Sequence, residues 1–348
     1  MQFASDNTGP VHPAVMAALS QANDGYAAAY GADPWMDEVR AQVRETFEAP
    51  EAAVYLVATG TAANALILAS LSQPWQTVFC ARNAHIDEDE CAAPEFFMDG
   101  AKLTLVDQSH GKMSASALQT AIAAQQSRGV HGVQRGPVSI TQATESGTAY
   151  TLEELRGLTG VAREFGLPVH MDGARFANAL VRLGCSPAQM TWRAGIDALS
   201  FGGTKNGLMG VEAVVLFDPE KAWEFELRRK RGAHLVSKHR YLSAQMAAYL
   251  RDGLWLDLAG KANAAADRLA GVLRTQGVSP EHAVDANMMF ASWPREQHHR
   301  LHAAGAKYYL WDGSLEGADP DARLMARLVC DWSTSPDAID SFAAHFSR

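Results

Sequence analysis

The chain has 348 residues, 47% of them hydrophobic and 20% charged, with 28 glycines and 14 prolines spread along its length. These proportions exclude a disordered or fibrous polypeptide, and at about 150 residues per domain the length predicts roughly two lobes. A formal charge of −9 argues against general affinity for nucleic acid or an anionic membrane, so any anion must be held by a local site.

A helix is predicted over 34–47, within an N-terminal arm that the pattern does not assign to either lobe. Seven short apolar, β-branched runs follow, at 54–58, 77–81, 102–106, 137–141, 167–171, 198–201 and 213–217, and each reads as a strand. Helical stretches at 62–71, 115–127, 152–165 and 175–183 alternate with them, with Gly or Pro near several ends. Such alternation is the mark of an α/β domain with a largely parallel sheet. Beyond Pro219 the pattern turns to long helix, at 222–231 and 241–276. Three β-like pieces at 287–293, 306–311 and 327–332 then precede a helix from Pro336, which predicts a small C-terminal α/β domain. The expected division is an arm and large domain over 1–240 and a connecting helix and small domain over 241–348.

Cys80, Cys91, Cys185 and Cys330 lie far apart, lack metal-ligand spacing and are too few to staple a chain this long. The first residues show no basic start followed by an apolar stretch, and no apolar run approaches the ~20 residues a membrane helix needs. A cytoplasmic protein with no membrane segment is expected. His298, His299 and His302 fall at helical spacing but have no carboxylate triad or cysteine nearby, so no metal is expected there.

Three strand ends carry residues suited to chemistry. After the run at 198–201 come Gly202-Gly203-Thr204-Lys205-Asn206-Gly207. Lys205 is either a solvated turn residue or an amine held at the sheet's carboxyl edge, able to form a Schiff base with an aldehyde. In His170-Met171-Asp172-Gly173-Ala174-Arg175, Asp172 is either a helix N-cap or, paired with such a lysine, the carboxylate that keeps the ring nitrogen of pyridoxal phosphate protonated. In Thr59-Gly60-Thr61-Ala62-Ala63-Asn64 a strand stops at Gly60 and a helix opens, which suits a phosphate at the helix N-terminus. The order of anion site, Asp and Lys is more specific than any one of the three.

With these motifs the chain resembles the threonine aldolase and β-eliminating lyase family, pyridoxal-phosphate enzymes of the aspartate aminotransferase fold type. Further markers are Ser5-Asp6-Asn7, Tyr30-Gly31-Ala32-Asp33-Pro34, Ala84-His85-Ile86 and Arg327-Leu328-Val329. Within the family it resembles the bacterial low-specificity L-threonine and phenylserine aldolases. The resemblance implies a mixed, mostly parallel seven-stranded sheet and a β-hydroxy-α-amino acid substrate cleaved to glycine and an aldehyde. It also implies a homo-oligomer, dimer or tetramer, with active sites shared between subunits.

By the same resemblance Lys205 carries the cofactor, Asp172 faces its ring nitrogen and His85 stacks on the ring. Gly60, Thr61 and Ala62, with Thr204, cradle the cofactor. Arg175 and Arg327, with Ser5 and Tyr30, hold the substrate, and His131 is a second histidine that reaches its β-hydroxyl. The base is His85 or His131, directly or through a water. In the basic segment from Arg228 to Arg240, Arg231 or Arg240 reaches the neighbour's cofactor phosphate; otherwise the segment is a solvated helix end. The acidic run from Asp87 to Glu90 reads as a solvated face. Where the family more often has Glu-Asn-Thr-His, this chain has Gln142-Ala143-Thr144-Glu145. Two other classes compete with an aldolase: a β-eliminating lyase of the same cofactor, and a non-catalytic α/β binding protein in which Lys205 and Asp172 are ordinary turn and cap residues.

Overall fold

All seven predicted runs of the first two-thirds are strands of one sheet in the computed structural model, which describes residues 1–125 and 128–346. They are β1 (Ala53–Val57), β2 (Gln76–Ala81), β3 (Lys102–Val106), β4 (Gln134–Thr141), β5 (Val169–Gly173), β6 (Ala198–Phe201) and β7 (Glu212–Leu216). The order across the sheet is β1-β7-β6-β5-β4-β2-β3, with β7 antiparallel to both neighbours and the other pairs parallel. The carboxyl ends of β1, β2, β4, β5 and β6 therefore share one edge with the amino end of β7. Ligands of open α/β sheets gather at such an edge.

Helix α1 (Pro13–Ala22) and helix α2 (Pro34–Thr46) belong to the arm, and α3 (Gly60–Leu71) follows β1. The helix expected over 115–127 is α4 (Ala115–Ala124); Gln126 and Ser127 lie outside the described residues. Next come α5 (Leu152–Glu164), α6 (Phe176–Leu183) and α7 (Ala222–Arg231). The single helix expected over 241–276 is two, α8 (Arg240–Leu250) and α9 (Leu254–Thr275). Asp252 and Gly253 between them take left-handed backbone, φ 53° and 71°, as an Asp-Gly turn does. The small lobe is the antiparallel sheet β8 (Met288–Pro294), β9 (Tyr309–Asp312) and β10 (Arg323–Val329), ordered β8-β10-β9, with helices α10 (Arg295–Ala303) and α11 (Pro336–Phe346). Among the described residues no helix is long and apolar enough to cross a membrane.

Two apolar cores result. In the first, Phe47, Phe176 and Phe201 pack with ring centroids 5.6 Å apart in each pairing, and Trp255 lies 5.4 Å from Phe201. In the second, Phe3, Leu269, Leu273, Trp293 and Phe342 are buried together, so α9 contributes to both.

The arm, unassigned by the sequence pattern, touches both lobes. Phe3 donates its N–H to Lys307 O at 2.7 Å and accepts that of Val329 at 2.9 Å, while α1 and α2 pack on α8. Between these contacts Asp6 accepts two bonds from Arg175, Nε at 2.8 Å and Nη2 at 3.0 Å, and a third from Asn287 Nδ2 at 3.0 Å. One buried carboxylate thus ties arm, sheet domain and small lobe. Burial alone pushes the Asp6 carboxyl up; the Arg175 and Lys205 charges and the hydrogen bonds outweigh it, and the net shift is downward. The stability this supplies is present above the ordinary carboxylate range and is lost as pH falls through the lowered value. Asp6→Ala leaves the Arg175 guanidinium buried without its anion and is expected to cost about 3–5 kcal/mol, read as a lowered urea midpoint at pH 7.

Candidate active site

At the end of β1, Thr59 caps α3. Its Oγ1 accepts the Ala62 N–H at 3.1 Å and its carbonyl the Ala63 N–H at 3.1 Å. The N–H groups of Gly60 and Thr61 have no partner within the helix, and both residues line a cavity of about 380 Å³. A Cβ built on Gly60 would meet nothing within 4 Å, so the approach to this helix end is open. Ala62 departs from the sequence expectation: its N–H is already taken by Thr59 and it does not line the cavity.

Asp172, 3% exposed near the end of β5, lines the same cavity. Its Oδ1 accepts the Ala174 N–H and its Oδ2 the Asn64 amide, both at 3.0 Å. It is not a helix N-cap: α6 begins at Phe176, after Arg175.

Lys205 also lines the cavity, in the single turn Thr204–Asn206 after β6. The two glycines before it are required by close approach to backbone, since a Cβ on Gly202 would lie 2.5 Å from Ala174 O and one on Gly203 2.7 Å from Val211 O. Buried Glu212, at the start of β7, accepts the Gly203 N–H at 2.6 Å through Oε2. On the other side Asn206 Nδ2 donates to Tyr249 Oη at 2.7 Å and Trp255 O at 2.9 Å. The lysine backbone is thus bolted from both flanks. Burial raises the Glu212 carboxyl pKa, against bonds from Thr204 and Gly203 and the Lys205 charge.

His85 opens a one-turn helix after β2. Its Nδ1 lies 2.8 Å from Glu90 Oε1, which also accepts Asn64 Nδ2 at 2.8 Å. The Glu90 bond is the main reason the His85 pKa is raised; burial opposes it, Asp172 and Glu145 reinforce it and Lys205 opposes it. Glu90 corrects the solvated-face reading of the acidic run, since it is buried while Asp87, Glu88 and Asp89 are exposed. Asn64 and Glu90 were missed as site residues. The available signal for Asn64 was a lone amide in a largely apolar helix, one turn past Gly60.

The other expected residues divide. Arg175 is committed through Nε and Nη2 to Asp6. Ser5, beside Asp6, accepts the Asn7 N–H at 3.1 Å, and Asn7 rather than Ser5 lines the cavity. Arg327, on β10, lies over the Tyr309 and Trp311 rings at 5.7 and 5.5 Å, its Nε buried and unpartnered. Thr204 lines the cavity, and its Oγ1 accepts the Val211 N–H at 3.2 Å.

His131 is not brought to the site within this chain. It sits in a turn before β4 beside Lys102, Thr104 and Gln125, about 20 Å of strand from Thr141, the partner of Asp172. Tyr30, Arg231 and Arg240 also lie outside this chain's own cavity. The Tyr30 ring is 5.1 Å from Lys230 Nζ, Arg231 lines a separate cavity with Phe96 and Phe97, and Arg240 Nη1 bonds Gly25 O at 2.9 Å. The basic segment is not simply a solvated helix end, because Arg229 is buried 4.9 Å over Tyr55.

Residues 2–294 match the family model described as beta-eliminating lyase. The chain belongs to that family. Among its relatives is a low specificity L-threonine aldolase of Pseudomonas aeruginosa, 39% identical over 98% of this chain and 96% of the relative. Threonine aldolase from Leishmania major superposes with a TM-score of 0.93 at 25% identity, covering 100% of this chain and 98% of that one. Serine palmitoyltransferase from Sphingomonas wittichii, at 15% identity, shares the fold with a TM-score of 0.73 over 99% of this chain and 86% of that one.

Because the Glu212 pKa is raised, its contribution to stability is greatest near and below the ordinary glutamate value of 4.5 and is lost as pH rises through the raised value. Glu212→Gln is therefore expected to flatten the fall in stability as pH rises above 4.5, measured by urea denaturation across a pH series.

Proposed function

We propose that this chain is a pyridoxal-phosphate-dependent L-threonine aldolase, cleaving L-threonine, L-allo-threonine and related β-hydroxy-α-amino acids such as phenylserine to glycine and an aldehyde. The observation that carries this reading is the meeting of Lys205, Asp172, His85 and the α3 N-terminus in one cavity. The donor set fits the cofactor. Gly60 and Thr61 offer N–H groups to a phosphate, Asp172 offers an anion to a ring nitrogen and Lys205 Nζ is the amine for covalent attachment. Asn64 Oδ1 and Glu90 Oε2 are buried with no partner of their own, as expected of a site that a polar ligand completes. When bound, the cofactor supplies the electron sink for the pair released at the substrate's α-carbon.

In this reading the chain's own residues choose the bond and move the proton. Arg327 pairs with no carboxylate among the described residues and binds the substrate's carboxylate, with Arg175 contributing through Nη1, the nitrogen it does not give to Asp6. That clamp turns the Cα–Cβ bond to the angle at which it breaks most easily. His85 then takes the β-hydroxyl proton through Nε2. The finer parts of the proposal are a cytoplasmic homo-oligomer, dimer or tetramer, and a division into domains at 240/241. In such an assembly Arg231 or Arg240 serves the neighbour's phosphate, and His131 and Tyr30 act across a subunit contact.

Purified chain with added pyridoxal phosphate is expected to turn yellow and to release glycine and acetaldehyde from L-threonine, or glycine and benzaldehyde from L-phenylserine. Ammonia and a keto acid without glycine would indicate β-elimination instead. Lys205→Ala is expected to lose both colour and turnover. Asp172→Ala should lower kcat by about 10²–10³-fold, while Thr61→Ala mainly weakens cofactor retention. Equal losses in those two variants would contradict the roles given.

A further inference from the structure

Glu90 closes an acidic run whose other members, Asp87, Glu88 and Asp89, are exposed, yet its side chain is fully buried. A buried carboxylate persists only where hydrogen bonds or opposite charge hold it. Here one oxygen, Oε1, meets two nitrogens, Asn64 Nδ2 and His85 Nδ1, each at 2.8 Å. Asn64 Nδ2 can only donate, and its second hydrogen goes to Asp172 Oδ2 at 3.0 Å. Its two acceptors thus orient the amide, and Oε1 is left to accept from the imidazole as well. The atoms of His85, Glu90 and Asp172 that could bind a common partner lie within 4.8 Å of one another.

We propose that Glu90 is a positioning residue for the aldol reaction: it holds the His85 imidazole with its proton on Nδ1 and, through Asn64, ties that ring to the Asp172 carboxylate, leaving Nε2 to receive the proton of the substrate's β-hydroxyl. This rests on the aldolase reading of the cavity. The proton passes from the β-oxygen to Nε2 while the O–H electron pair becomes the second C–O bond of the departing aldehyde. The Cα–Cβ pair stays on the α-carbon side, where one proton is returned to give glycine, so no net proton is released. The imidazolium formed in between lies against the Glu90 carboxylate, which neutralises it in place, as a carboxylate behind a histidine base does elsewhere. Asn64 makes the two halves interdependent, since one amide fixes both the anion behind the base and the anion expected at the cofactor ring.

The groups facing His85 are Glu90, Asp172 and Glu145, which favour its charged form, and Lys205, which with burial disfavours it. The neutral ring is the active base, so its titration sets the acidic limb of kcat/KM. Removing the Glu90 charge should shift that limb to lower pH while slowing the reaction.

The test uses the full chain labelled with ¹³Cε1-histidine, with and without pyridoxal phosphate, the His85 signal being identified by its loss in His85→Asn. In the wild type His85 should titrate above its ordinary 6.5. In Glu90→Gln the midpoint should fall by about 1 pH unit, the acidic limb of kcat/KM should follow, and kcat should drop about 10²-fold with KM within about 2-fold. Glu90→Asp should restore part of both. A wild-type midpoint at or below 6.5, or coincident limbs in wild type and Glu90→Gln, overturns the proposal. If Glu90→Gln does not fold, the wild-type midpoint and Glu90→Asp decide the matter. The expected titrations in a chain that makes no glycine from L-threonine would overturn the aldolase reading while upholding the hydrogen-bonded His85–Glu90 pair.

Discussion

Four buried carboxylates, Asp6, Glu90, Asp172 and Glu212, gather at one edge of the main sheet, and the need to hold each of them shapes everything around it. A buried carboxyl left without partners is too costly to keep, so each must find donors; Glu212 differs in that burial disfavours its charged form. Asp6 takes them from Arg175 and Asn287, Glu90 from Asn64 and His85, Asp172 from Asn64 and the Ala174 backbone, and Glu212 from the Gly203 backbone. These donors come from the first turns of α3, the connections after β2, β5 and β6, and the entry to the small lobe. Satisfying the set therefore requires arm, sheet and small lobe to be assembled together. Lys205 stands among these carboxyls in a turn whose backbone is fixed by Glu212 on one flank and Asn206 on the other.

The sheet was legible because each strand is a short apolar, β-branched run between turn residues, a local property. Lys205, Asp172 and Gly60 were legible for a related reason: each follows such a run, and the carboxyl ends of parallel strands share an edge. Glu90 was not, because a run of four acidic residues has the composition of a solvated surface. Only the tertiary fold shows otherwise: the connection after β2 ends near β5, two strands across, and Asn64 of α3 lies between Glu90 and Asp172, bonding both. His131 lies outside this chain's own cavity for a different reason. A motif before a strand and one after it look alike in sequence, but they lie at opposite ends of the sheet. The arm was unassigned because its role is three-way, and Asp6 gains meaning only when Arg175 and Asn287 arrive from elsewhere.

The same electrostatics bear on which reaction the site favours. A carboxylate at the ring nitrogen assists every reaction that leaves an electron pair on the α-carbon, so in the role proposed for it Asp172 does not choose between aldol cleavage and elimination. The choice lies with groups that orient the substrate and take its proton. Arg327 is suited to the first task. Its guanidinium lies over two aromatic rings, which favour a planar cation, and among the described residues no carboxylate competes for it. A lysine in its place would offer a point charge without the fixed fork that sets the angle of a bound carboxylate. Arg175, next to it and already neutralised by Asp6, adds structure more than charge, so a second carboxylate can approach without displacing the first. Bond choice in this reading therefore depends on the arm: Asp6 holds Arg175 through Nε and Nη2 and leaves only Nη1 for the substrate, so if Asp6 left its place the Arg175 fork would be free to turn and the angle set jointly with Arg327 would be lost.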